Sequence, residues 1–178
     1  DSPATCDILQ RHRMGTAARI IATVARRPPA GSRAMSDSRA GIAGLGSFVW
    51  GHSMFQIGMD PRLGNGFMSA TIKTALPSAV KVFNWLGTVW GGAVRLATPM
   101  LFSLGFIAMF TLGGLSGVMH SIVPADSQQT DTYFVVAHVP YVLFGGLVVA
   151  IFGRFYSWLP QAFGAMLDER RGKRHCRT

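Results

Sequence analysis

Three long uncharged stretches limit what this chain can fold into more than any other feature. Residues 40–59, 96–125 and 132–153 contain no charged side chain and are 20, 30 and 22 residues long. A membrane-spanning helix needs about 20 predominantly apolar residues, so each stretch is long enough to cross a bilayer once. Only 14% of the chain is charged, whereas soluble domains average about 25%. The sequence therefore predicts an integral membrane protein.

A fourth apolar stretch, residues 65–91, is interrupted by Lys73 and Lys81. Lysine near the middle of a span is costly and rare. Either this stretch does not span the membrane, or its lysines face a polar interior. Counted as a span, it completes the prediction of an all-α, polytopic transmembrane helix bundle with about four spanning helices. Tryptophans are expected near the ends of these spans, as in aromatic belts: Trp50, Trp85, Trp90 and Trp158.

The basic residues are concentrated at the two ends of the chain. The formal net charge is +9, and it comes mainly from a basic segment at residues 1–39 and a polar, basic tail at residues 161–178. The four-helix region between them occupies residues 40–160. With four spans both termini lie on one side, which the positive-inside rule makes the cytoplasmic or matrix side. This distribution argues against a nucleic-acid surface.

The N-terminal segment is the least regular part of the pattern. Residues 8–24 have a helical composition but too many polar and basic residues to span a membrane, and they lack the apolar run of a signal peptide. Pro28 and Pro29 end any helix there. Cys6 and Cys176 lie in the two polar ends, so neither a disulfide framework nor a metal pair is predicted.

The apolar middle of the sequence resembles a known family over about residues 35–173. The words that carry the resemblance are WGHSMFQIGMDP, LPSAVKVFNWLGTVWGG, TPMLFSLGFIAMFTLGGLSGVM and DTYFVVAHVPYVLFGGLVVAIFGRFYSWLP. They are similar to the catalytic subunit of the haem-copper oxidases, cytochrome c oxidase subunit I. The family's subunit has twelve membrane helices. The resemblance implies a fragment that covers about the seventh to the tenth, preceded by a remnant of the sixth.

The resemblance places His138 at the axial ligand of the family's high-spin haem. The alternative for a lone histidine in a membrane is a hydrogen bond within the helix bundle. Two residues later the family has the ligand of its low-spin haem, and here that position is Pro140. Proline offers no ligand, so low-spin haem binding at this position is excluded.

The copper site that the resemblance implies is depleted. The family uses three histidines, of which His52 matches one while the adjacent ligand position holds Ser53. The third ligand and the tyrosine linked to it fall at Pro3 and Asp7. One histidine of three cannot hold copper tightly, and we expect no oxygen reduction by this chain alone.

The resemblance also implies a proton pathway that includes Lys81 and Ser78. Residues three apart share a helix face, so the two side chains can line one track. Lys73 has no counterpart in the family and is rotated about 80° from Lys81 on a helix. It is expected to face lipid or another chain.

Asp131 matches an aspartate that binds magnesium in the family, although a lone carboxylate before an apolar run is equally typical of a helix N-cap. Thr130 stands where many members have a histidine. His120 and Asp126 receive no role. The Gly113–Gly114 and Gly145–Gly146 pairs are expected to permit close helix packing.

Two functions remain open at this point. One is the family activity, electron transfer from cytochrome c to dioxygen coupled to proton translocation, with haem, copper and magnesium as implied cofactors. It would need subunit II and III type partners, cytochrome c through the complex, and a bacterial plasma membrane or mitochondrial inner membrane. The other is a non-catalytic membrane structural or assembly partner, or the relic of a truncated gene. A channel sharing only hydropathy is the third and least economical alternative.

Overall fold

The computed structural model describes residues 3–49, 51 and 54–177. Within them the chain forms helices joined by short turns, with a 3-10 turn at Phe55–Ile57 and a π-helical segment at Tyr141–Val148. The α-helices are α1 (Pro3–Val24), α2 (Ser32–Gly46), α3 (Pro61–Trp90), α4 (Thr98–Ser121), α5 (Val123–Gln129), α6 (Tyr133–Pro140), α7 (Val149–Phe163) and α8 (Glu169–Arg177). The all-α prediction is confirmed.

Two helical stretches of the described chain are long and apolar enough to cross a membrane. One is α4, with 24 residues, and the other is the continuous run Tyr133–Phe163, with 31 residues. They coincide with two of the three uncharged stretches. An unbroken apolar run of this length can cross a bilayer as one helix. These two stretches form the part of the bundle that matches the predicted spans most closely.

The other two predicted spans take different forms. Helix α3 is 30 residues long, which is ample for a span, and it begins where the Asp60 side chain accepts a hydrogen bond from the Arg62 amide (2.7 Å). Because it contains Lys73 and Lys81, it is less apolar than the two helical stretches described above. The first predicted span, residues 40–59, is not one helix: α2 has 15 residues, begins at Ser32 and ends at Gly46. Several glycines near its end weaken the helix.

Helix α1 packs against α2, α3, α4 and α7 and supplies several residues of the core. Its apolar residues Met14, Ala17, Ala18 and Ile21 are buried against Trp85, Met100, Phe106, Ile107 and Ala150 of α3, α4 and α7. These positions recur at i, i+3, i+4 and i+7, which places them on one face of the helix. The sequence analysis, which expected a remnant of a helix here, did not predict this packing. It considered how many charges the segment has and not where they lie on the helix.

Trp85 corrects the expectation of an aromatic belt. Its indole is 1% exposed and makes edge contacts with the rings of Phe106 and Phe110, at centroid distances of 5.4 and 6.1 Å. Trp90 is 94% exposed, as expected at the end of a span. The two tryptophans are five positions apart, a rotation of about 140° on a helix. They therefore lie on different faces of α3.

The π-helical segment follows Pro140 directly. Proline has no amide hydrogen and its ring displaces the carbonyl four residues earlier, and a π-turn is one way to accommodate such an interruption. Gly145 and Gly146 of this segment are buried, with Met109 and Arg13 packed on them, and Gly113 lies against Val142. The predicted packing role is confirmed at these three glycines, whereas Gly114 faces open space.

The polar tail contains a short helix that packs onto α4. In α8, Glu169 Oε2 accepts hydrogen bonds from the amide and the hydroxyl of Thr98, at 3.2 and 3.1 Å. The His175 ring packs on Phe102 and Phe152. Because Thr98 begins α4, a carboxylate from the end of the chain caps a helix that starts 71 residues earlier.

Candidate functional site

His138 lies on α6 and is hydrogen-bonded to α4. Its Nδ1 is 2.8 Å from the Ser116 hydroxyl oxygen, and that hydroxyl donates its hydrogen to the Gly113 carbonyl at 2.9 Å. A serine hydroxyl carries one hydrogen, and in the tautomer compatible with the Ser116–Gly113 bond this hydroxyl accepts from a protonated Nδ1. Nε2 is then the unprotonated nitrogen, the form in which an imidazole binds a metal, with the orienting partner that metal-binding histidines have.

A glycine and a second histidine form the surroundings of the His138 ring. A Cβ at Gly117 would lie 3.1 Å from His138 Cε1, so the absence of a side chain there lets α4 approach the ring. The His120 ring packs edge to face on the His138 ring, with centroids 5.1 Å apart and planes inclined by 68°. Helix α4 thus contributes Ser116, Gly117 and His120 to one face of α6.

His120 is also close to an acid that the sequence left without a role. Its Nδ1 is 4.0 Å from Asp126 Oδ1, and the two side chains are 11% and 14% exposed. Neither ring nitrogen of His120 has a hydrogen-bond partner within the described structure. Sequence reasoning missed this pair because α4 ends between the two residues, and no helical spacing connects positions across that break. We call Ser116, His120, Asp126 and His138 the histidine cluster.

The copper prediction cannot be placed in full, since His52 and Ser53 lie outside the described residues. Pro3 begins α1, the helix that also contains Asp7. In the described part of the chain, no three histidine, cysteine, aspartate or glutamate side chains are grouped so that they could hold a metal ion. Copper binds to several imidazole or sulfur ligands, and the described residues do not group three such donors.

Lys81 is buried against α1. Its side chain is 1% exposed, and its Nζ donates to the Met14 sulfur at 3.0 Å. A thioether is a weak acceptor, so the ammonium has exchanged water for a poor partner. Ser78, one turn earlier, donates its hydroxyl hydrogen to the Thr74 carbonyl of its own helix at 3.1 Å. Lys73 is exposed, and the expected separation of the two lysines onto different faces is confirmed. We call Met14, Lys81 and Trp85 the lysine contact.

Asp131 lies in the turn before α6 and is exposed. Its φ of 64° is in the left-handed region, which aspartate adopts more readily than most residues. The N-cap of α6 is Thr132, and no side chain makes a capping hydrogen bond there. The N-cap alternative for Asp131 is therefore wrong by one residue, because the left-handed turn moves the start of the helix to Thr132. Its role toward magnesium stays a prediction.

Comparison with known proteins gives one consistent family. Residues 8–178 match the family model described as cytochrome C and quinol oxidase polypeptide I. The chain is 44% identical over 161 residues to cytochrome c oxidase subunit 1 of Synechocystis sp., a match that covers 90% of the chain and 29% of that protein. It is 40% identical over 168 residues to the Debaryomyces hansenii subunit 1, covering 94% of the chain and 31% of the relative.

A third relative, cytochrome c oxidase polypeptide 1 of Halobacterium salinarum, is 38% identical over 162 residues, which covers 91% of the chain and 27% of that protein. The chain thus spans under a third of the length of these curated relatives.

Proposed function

This chain belongs to the cytochrome c and quinol oxidase polypeptide I family, and from that membership we propose that it is a membrane-embedded, haem-binding part of a cytochrome c oxidase subunit I. The family function is the reduction of dioxygen with electrons from cytochrome c, coupled to proton translocation, with haem and copper as cofactors. The sequence covers under a third of its relatives' length, and we propose that it takes part in this function together with the remaining helices and ligands of a subunit I.

The observation that carries the proposal is the contact between the Ser116 hydroxyl and His138 Nδ1, at 2.8 Å. In the proposed state Nδ1 carries the proton and donates to Ser116, and Nε2 offers the lone pair that binds a haem iron. A bound haem would supply the redox chemistry. The chain's own part is to hold one imidazole in a set orientation between α4 and α6. Pro140 leaves the neighbouring position without a ligand, so a single haem is the most that this helix can hold.

The remaining family roles follow the same residues. His52 is proposed as the one retained copper ligand, Asp131 as a magnesium ligand, and Lys81 with Ser78 as parts of a proton pathway. The complex would lie in a bacterial plasma membrane or a mitochondrial inner membrane, with subunit II and III type partners and both chain termini on the cytoplasmic or matrix side.

A specific observation favours the second candidate, a non-catalytic structural or assembly partner. The Lys81 amine is in contact with the Met14 thioether of α1 and is 1% exposed. A proton pathway needs water or hydroxyl groups beside the lysine, whereas a non-catalytic role does not.

Spectroscopy of the full chain, reconstituted with haem in detergent, tests the haem proposal. We expect a haem signal of single-histidine ligation that His138→Ala abolishes, while His12→Ala on the exposed side of α1 leaves it unchanged. A six-coordinate, low-spin, bis-histidine signal that is lost with His52→Ala but not with His138→Ala would overturn the assignment.

Affinity purification from the native membrane separates the two functions. Recovery of other oxidase chains together with haem supports the catalytic complex. Recovery of oxidase chains without haem on this chain supports the structural partner.

A further inference from the structure

A cavity between α1, α2 and α7 brings together arginines from all three helices. It has a volume of about 530 Å³, and its lining includes Arg19 of α1, Arg39 of α2 and Arg154 of α7. None of the residues that line it within the described structure is acidic. None of the three guanidinium groups takes part in an ion pair with another described residue. Among the described side chains the cavity is therefore lined by positive charge without an acidic partner.

We propose that this cavity binds the phosphate group of an anionic phospholipid. Arginine presents a planar fork of donors that matches phosphate oxygens in a bidentate manner. Three like charges around one space repel each other, and an anion between them removes that repulsion. The volume lies within the range of about 300–1,000 Å³ that is typical of small-molecule sites. Basic pockets between membrane helices are a known form of lipid headgroup site.

The position of the cavity favours a lipid over a phosphate ion from solution. Trp158 lines the cavity, and the Arg154 guanidinium lies 4.2 Å from the centroid of its ring. Trp158 lies near the end of the apolar run Tyr133–Phe163, and tryptophan near the end of a span is typical of the membrane interface. Ile151 and Phe155 are 47% and 60% exposed and share a face of α7 with Arg154 and Trp158, because residues three and four apart are neighbours on a helix. Acyl chains can lie along this apolar face while the headgroup occupies the cavity.

The small residues of α1 open the cavity from its other side. Gly15, Ala18 and Ala22 line it, at spacings of three and four residues that put them on one strip of the helix. A Cβ at Gly15 would meet no other atom within 4 Å. The recess between the arginines therefore results from short side chains that α1 places there.

The test measures lipid retention by the full chain purified in detergent. Native mass spectrometry counts the phosphatidylglycerol and phosphatidylcholine bound to each molecule in mixed micelles of the two lipids. A change of about 1 kcal/mol per basic residue corresponds to about a fivefold loss of phosphatidylglycerol affinity for Arg154→Gln and about a hundredfold loss for the triple variant Arg19→Gln, Arg39→Gln and Arg154→Gln. The variant Arg154→Lys keeps the charge but not the fork, and we expect it to recover only part of the affinity.

The matched control is Arg33→Gln, Arg170→Gln and Arg177→Gln, which removes the same charge from exposed positions outside the cavity. It should retain the wild-type preference for phosphatidylglycerol. Equal losses in the cavity variant and the control would overturn the proposal, since the attraction would then be due to overall charge. Displacement of the lipid by inorganic phosphate alone would also overturn it, since the site would then hold a soluble anion. If the triple variant loses helical circular dichroism, Arg154→Gln alone decides the outcome.

Discussion

The histidine cluster contains His138 and the lysine contact contains Lys81, two residues with proposed family roles. Their surroundings differ. His138 is partly buried and has a hydroxyl partner at 2.8 Å. Lys81 is 1% exposed and has a thioether at 3.0 Å. The first is a polar group satisfied in a way that suits its chemistry, and the second is a charge enclosed by packing.

The difference follows from the helices that form each region. The histidine cluster is formed by α4, α5 and α6, the part of the chain with the long matching words. The lysine contact depends on α1, which precedes the long matching words, although the family match begins at residue 8. At Lys81 this helix presents the Met14 thioether, a group that cannot relay a proton.

The largest expected effect comes from removing the Trp85 ring, which is buried in the same core cluster as Met14. Trp85→Ala should lower the free energy of unfolding by about 3–5 kcal/mol, because it leaves a cavity beside Phe106 and Phe110. The matched control is Trp90→Ala, where the indole is 94% exposed and no change is expected. Both are measured by detergent-denaturant titration of the helical signal. Equal effects at the two positions would show that Trp85 is not a core residue.

The second effect has the opposite sign. Lys81→Met replaces a poorly compensated buried ammonium by an apolar chain of similar length, and should raise the free energy of unfolding by about 1–4 kcal/mol. Lys73→Met, at an exposed position, serves as the control and should leave the stability within experimental error. The same titration measures both. If Lys81→Met destabilises the chain, the amine has stabilising partners, and the contrast between the two regions disappears.

The smallest effect on stability is expected in the histidine cluster. Ser116→Ala removes the hydroxyl partner of His138 Nδ1 and should cost about 1 kcal/mol. It should weaken haem binding about 10- to 100-fold, as loss of an orienting partner does. Ser116→Thr should recover the binding. Ser103→Ala is the control, because that hydroxyl bonds to its own helix at Pro99. Haem titration followed by absorbance gives the affinity, and unchanged binding in Ser116→Ala would mean that His138 is not oriented by Ser116.

Sequence alone predicted the parts of the fold that depend on uninterrupted apolar runs. Two of the three uncharged stretches correspond to α4 and to the run from α6 to α7, and the glycines at 113, 145 and 146 pack as expected. Helix α1 was undervalued, although Met14, Ala17, Ala18 and Ile21 already showed the spacing of a buried face. The charge content of this segment suggested a remnant, whereas the spacing of its apolar residues indicates a buried helix face. The helices that pack on this face are known only from the structure.

The candidate site was predictable in part. His138 followed from the motif around it, but its partner Ser116 lies 22 residues away on another helix, and no local pattern connects the two. The His120–Asp126 pair is similarly invisible, since it forms across the end of α4. Such contacts arise from the tertiary arrangement of helices.

The bond between Glu169 and Thr98 has a consequence for the order in which the chain can assemble. Ala97 precedes α4 without a capping side chain, so the first amide of this helix depends on a carboxylate that the ribosome adds 71 residues later. Until residue 169 has been synthesised, this amide lacks the partner that it has in the folded chain. The order of synthesis therefore places the helix before its cap, and the start of α4 reaches its final hydrogen bonding only after α8 has packed against it.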